Sequence, residues 1–145
     1  MRITAACLVL AWLTALSCYD IRERRLPNAL TLTGAAAVLG VATVAGRGSA
    51  ALAGTVALTA VYLVVHCAAP RGMGAGDVKL AVGLGALTGC FGAGVWFVAA
   101  VGAPLLTAVV GALARLRGGA DGTATVPHGP SMCLASAAGV GLALL

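Results

Sequence analysis

Of 145 residues, 61% are hydrophobic and only 9% are charged, with a mean hydropathy of +1.05. A soluble domain is about a quarter charged, and one of this size needs a polar skin that nine basic and four acidic side chains do not supply. That excludes a secreted soluble domain and a disordered tail. It also excludes a nucleic-acid-binding domain, because the net charge of +5 is scattered over short loops without a basic face or interleaved aromatics. An all-α, polytopic membrane protein remains.

In chain order, charges and helix breakers divide the sequence into apolar blocks. The first runs from Ile3 to Tyr19 and ends at Asp20-Ile21-Arg22-Glu23-Arg24-Arg25. With Arg2 in front of it and Ala15-Leu16-Ser17-Cys18 near its end, this block resembles a lipoprotein signal only loosely. More membrane sequence follows it, so it is expected to stay as a span. The second block runs from about Ala29 to Ala45 and stops at Gly46-Arg47-Gly48, and the third from about Ser49 to Ala69, stopping at Pro70-Arg71-Gly72. From Leu80 to Ala114 there are 35 residues without a charge. As one helix they would extend about 52 Å against a hydrocarbon core of about 30 Å. They are therefore predicted to fold back as two spans, with the turn within Gly89-Cys90-Phe91-Gly92-Ala93-Gly94. After a loop carrying Arg115, Arg117, Asp121 and Pro127, a last block runs to Leu145. The expectation is one domain over 1–145 with six transmembrane helices and no internal repeat.

Orientation follows from the basic residues. With both termini outside, Arg22, Arg24, Arg25, Arg71, Lys79, Arg115 and Arg117 lie on the cytoplasmic side, and only Arg2 and Arg47 lie outside. The 21 glycines suit close packing of membrane helices, above all Gly34, Gly40, Gly54, Gly83 and Gly85. The cysteines Cys7, Cys18, Cys67, Cys90 and Cys133 form no C-x-x-C pair and read as small buried apolar residues. No metal and no cofactor is expected.

Two aspartates sit at hydrophobic boundaries on the same side. Asp20 closes the first span and Asp77 opens the fourth, within Gly72-Met73-Gly74-Ala75-Gly76-Asp77-Val78-Lys79. A carboxylate at the bilayer centre costs roughly 2.5–3.5 kcal/mol and less near the interface, so an acid here needs a reason. Singly, Asp77 can be a helix cap and Asp20 a helix end in water. As a pair they suit amide hydrolysis, because two carboxylates sharing one proton supply both a base for water and an acid for the leaving nitrogen. Packing of spans one and four would bring them together. Gly72, Gly74 and Gly76 permit unusual φ values and close approach of a substrate backbone.

The segment Gly72-Met73-Gly74-Ala75-Gly76-Asp77-Val78-Lys79-Leu80 resembles the G-x-G-D signature of the type IV prepilin peptidases, membrane aspartic proteases. Asp20-Ile21-Arg22-Glu23-Arg24-Arg25-Leu26-Pro27-Asn28 is similar to the family's first catalytic segment, and Val126-Pro127-His128-Gly129-Pro130 resembles its P-x-G-P element. The resemblance implies Asp20 and Asp77 as catalytic residues, an active site at the cytoplasmic face of a prokaryotic plasma membrane, and a prepilin or pseudopilin substrate cut after a glycine. Tyr19, Pro27, Asn28, Gly72, Gly74, Gly76, Lys79, Pro127, Gly129 and Pro130 would bind substrate or support the site. Pro27 and Asn28 would fix the entry of the second helix, with Asn28 as its cap. Lys79 would either favour the ionised dyad or snorkel to the headgroups. His128 stands where the family usually has an aromatic residue and reads as a substitution, with a tuned pH response as the alternative. His66 reads as a packed or interfacial histidine. Long members of the family carry a cysteine-rich insert associated with zinc and methyltransferase activity. This chain lacks it and resembles the short Tad/Flp-type peptidases.

Two other readings are open. A small transporter or channel subunit would use Asp20 and Asp77 as ion or proton sites, but its signature is acids deep in spans and an inverted repeat. A presenilin-type protease also pairs Tyr-Asp with G-x-G-D, but its third element is usually Pro-Ala-Leu.

Overall fold

The computed structural model describes residues 2–70, 72–117 and 126–145; Arg71 and Asp121 of the charge count lie outside the described residues. Among those described, the chain forms six helices and no strand: α1 (Arg2–Glu23), α2 (Asn28–Val44), α3 (Gly48–Ala68), α4 (Ala75–Gly89), α5 (Ala93–Leu116) and α6 (Gly129–Leu144). The boundaries follow the breakers. α2 stops before Gly46, whose φ is +74°, and the long uncharged stretch divides where expected, with Gly92 at φ +106° between α4 and α5. Such positive φ values are open to glycine because it has no β-carbon.

In length the six differ. α1, α3 and α5 are long and apolar enough to cross a membrane, whereas α2 and α6 are shorter apolar helices of 17 and 16 residues. α4, with 15 residues, rises only about 22 Å. It is also the innermost helix: most of its residues, from Asp77 and Leu80 through Gly89, are buried in protein.

Glycine makes that enclosure possible. The tightest seam joins α3 to α4, where a β-carbon on Gly54 would collide with the Gly85 carbonyl and one on Gly89 would lie 2.7 Å from the Ala50 carbonyl. Thr55 Oγ1 donates to the Val82 carbonyl across this seam at 3.2 Å, and Trp96 Nε1 donates to the Gly54 carbonyl at 3.0 Å. The Trp12 ring fills a slot between Gly34 and Gly83, with its Nε1 donating to Leu30 O at 2.9 Å. Gly40 does not belong to this set, because nothing lies within 4 Å of the position its β-carbon would take. The cysteine expectation also needs correction: Cys133 is buried, but Cys7, Cys18 and Cys67 are exposed on outer helix faces.

The route by which α1 approaches α4 differs from the expected one. Among the described residues their backbones do not meet; α1 packs on α6 and α2, and both of these pack on α4. Trp12 reaches across to Gly83, but nearer the Asp20 end the separation leaves a cavity.

Candidate active site

One end of the bundle gathers the end of α1, the α1–α2 and α3–α4 connections, and the residues entering α6. At the end of α1, Arg24 takes φ +49° while its N–H donates to the Asp20 carbonyl at 3.0 Å, which closes the helix and turns the chain away. Leu26 is then buried, and Pro27 caps α2 with its carbonyl, which accepts the N–H groups of Leu30 and Thr31 at 3.0 and 3.1 Å. Opposite, α4 starts at Ala75, which makes Asp77 its third residue. Asp77 reaches back to accept the Gly74 N–H at 3.3 Å, the acidic half of a capping box, and is only 9% exposed.

Both aspartates line one cavity of about 250 Å³, together with Arg24, Leu26, Met73, Val126, Pro127 and His128. Asp20 is held there by a residue 109 positions away: Oδ2 accepts the N–H of Gly129 at 3.0 Å. Gly129 opens α6, and a β-carbon on it would lie 2.6 Å from that oxygen, so a side chain here would displace the carboxylate. Each carboxylate thus sits at the positive end of a helix dipole, Asp20 at α6 and Asp77 at α4. The charge of Asp20 is also felt at Asp77.

His128 enters the same cavity between two hydroxyls. Thr107 Oγ1 donates to the Ala103 carbonyl at 3.1 Å, so at its 2.6 Å contact with His128 it accepts the Nδ1 proton. Nε2 is then the acceptor for the Tyr62 hydroxyl at 3.0 Å. Burial holds the His128 pKa below its ordinary 6.5, and the charge of Asp20 opposes that shift.

The structure sorts the supporting residues. Pro127 lines the cavity, Gly129 holds Asp20, and Pro130 occupies the first turn of α6. Gly72, Gly74 and Gly76 line it too, but not through unusual backbone: Gly74 is extended at φ −73°, and positive φ among the described residues is confined to Arg24, Gly46 and Gly92. β-carbons on these three would meet nothing closer than 3.6 Å, so each position has room for a methyl group in ordinary van der Waals contact. Asn28 is not the cap of α2, a place taken by Pro27; its Oδ1 accepts from Lys79 Nζ at 2.9 Å. Lys79 is therefore tied to the start of α2, an arrangement neither expectation for it anticipated. Tyr19 stands outside the cavity, 47% exposed on α1.

Tyr62, His66 and Thr107 were missed as parts of this site. His66 Nδ1 donates to the Met73 carbonyl at 2.8 Å and is near enough to Asp77 for its charge to be felt. A tyrosine and a histidine four residues apart share one helix face, the single available signal for this pair.

Among known proteins, no curated sequence and no solved structure matches the chain. The family model of the type IV leader peptidases matches residues 7–117, a range that contains both aspartates and the G-x-G-D segment but ends before the Gly129 element. A helical membrane protein with two acids in one cavity, matched over that range, belongs to the type IV leader peptidase family.

Proposed function

We propose that the chain is an aspartic endopeptidase that removes the short cytoplasmic leader of type IV or Flp prepilins or pseudopilins, in the short form without the zinc insert. In this reading all six helices cross a prokaryotic plasma membrane with both termini outside, and the cavity opens at the cytoplasmic face. Local thinning of the bilayer accommodates the short α2, α4 and α6. The observation that carries the proposal is the convergence of Asp20 and Asp77 on a single cavity. One water takes up about 30 Å³ of the liquid, so this space admits the attacking water and part of a peptide backbone.

In this reading the two carboxylates, which line one cavity, titrate as a pair and hold one proton between them. The ionised partner takes a proton from water as the water oxygen attacks the scissile carbonyl carbon. The protonated partner gives its proton to the leaving nitrogen as the C–N bond breaks. The extended leader lies against Gly72, Gly74 and Gly76, and the apolar stem of the substrate remains in the bilayer. The test is co-expression with a pilin precursor, following leader removal by gel shift. Asp20→Asn and Asp77→Asn should each abolish processing while the protein still inserts; processing that survives either change rejects the dyad.

A further inference from the structure

The chain contains two histidines; His66 bonds to one of the peptide units that hold the aspartates, and His128 is part of the other. The Met73–Gly74 peptide is bonded at both ends: its carbonyl accepts from His66 Nδ1 at 2.8 Å, and its N–H donates to Asp77 Oδ2 at 3.3 Å. The His128–Gly129 peptide donates its N–H to Asp20 Oδ2 at 3.0 Å, and the His128 ring is tied to Tyr62 of α3 and Thr107 of α5. Among the described residues, neither ring is hydrogen-bonded directly to a carboxylate. Hydrogen bonds in series polarise one another, so anchoring one end of a peptide unit strengthens and aims the bond at the other.

We propose that His66 and His128 are positioning residues for the dyad, each acting through the one peptide unit whose N–H holds an aspartate. The inference rests on the proposed roles of Asp20 and Asp77. The two anchors respond differently to protonation. A carbonyl only accepts, so His66 Nδ1 donates whether its ring is neutral or charged. His128 uses Nε2 as an acceptor, and protonation there turns it into a donor and forces the Tyr62 hydroxyl to reverse. Among the described residues, the titratable and charged groups facing His128 are Asp20 at the end of α1, Arg24 just beyond it, Asp77 of α4 and Tyr62 of α3. Burial disfavours the charged ring, so the protonation that disturbs the clamp comes at more acid pH than for an ordinary imidazole.

The test measures kcat and KM of the purified full chain on a prepilin, with thermal unfolding as a check on folding. His66→Ala and His128→Phe should each lower kcat about tenfold, the effect of one misdirected hydrogen bond, with KM little changed. His66→Asn, whose amide N–H occupies the place of Nδ1, should recover most of that loss. Tyr62→Phe added to His128→Phe should cost nothing further. Wild-type kcat should fall on the acid side of neutrality, and this fall should be shallower in His128→Phe and unchanged in His66→Asn. Wild-type kcat in both His66→Ala and His128→Phe overturns the inference, as does His66→Asn behaving like His66→Ala. If Asp20→Asn or Asp77→Asn still cleaves, the dyad itself falls. If both are dead while the histidine variants are normal, only the histidine roles fall.

Discussion

Glycine is used in two opposite ways at the two ends of α4. Along the α3–α4 seam, Gly54, Gly85 and Gly89 have backbone where a β-carbon would go. In the connection before α4 and in its first turn, Gly72, Gly74 and Gly76 have no atom closer than 3.6 Å there, and all three line the cavity holding Asp20 and Asp77. The first set closes the distance between helices, and the second keeps the approach to the site open. Identical residues thus make opposite predictions for the same substitution.

The largest effect should come from the seam. Gly54→Val drives a branched side chain into the α4 backbone, at a cost of about 3 kcal/mol or more. Thermal unfolding in detergent should show collapse of the bundle; a normal melting temperature would mean that α3 and α4 are not locked together there. Next is Gly129→Ala, where the added carbon displaces the carboxylate of Asp20. Removing a charge-assisted hydrogen bond of about 1.5–3 kcal/mol predicts a loss of kcat of at least tenfold with the bundle still folded. Unchanged turnover would detach the α6 entry from the chemistry. Gly74→Ala sharpens the contrast, because its β-carbon meets only Asp77 Oδ2, at 3.7 Å, and Gly76 N, at 3.8 Å. Stability should hold while KM for the prepilin rises several-fold. A KM equal to wild type would show that substrate does not lie on this backbone. The smallest effect belongs to Gly40→Ala, in open space within α2. It should stabilise the protein by about 0.5 kcal/mol through the lower entropy of alanine, read as a slightly higher midpoint.

Much of the architecture was legible because membrane insertion acts residue by residue. Each charge in the Asp20–Arg25, Arg47 and Lys79 regions carries its own cost of burial, so the approximate ends of the apolar stretches follow without knowledge of any partner, although α1 runs on to Glu23 and α4 starts at Ala75. The 35-residue uncharged stretch had to turn because its length exceeds the bilayer. The two aspartates stood out for the same local reason. Less legible were the residues whose work depends on a neighbour. Asn28 looked like a cap until Lys79 was seen to bind it, and Gly40 looked like a packing glycine although nothing faces it.

The sequence alone therefore determined that this is a helical membrane protein, roughly where the chain turns between its helices, and which acids are out of place in them. Only the tertiary structure decided that the α1 and α4 backbones stay apart while both pack on α2 and α6, that Gly129 holds Asp20, and that Tyr62, Thr107 and Met73 are the partners of the two histidines. The physical reason is that solvation is a property of one side chain, whereas a hydrogen bond depends on the rotation and depth of two helices at once, and no pattern along a single chain encodes both.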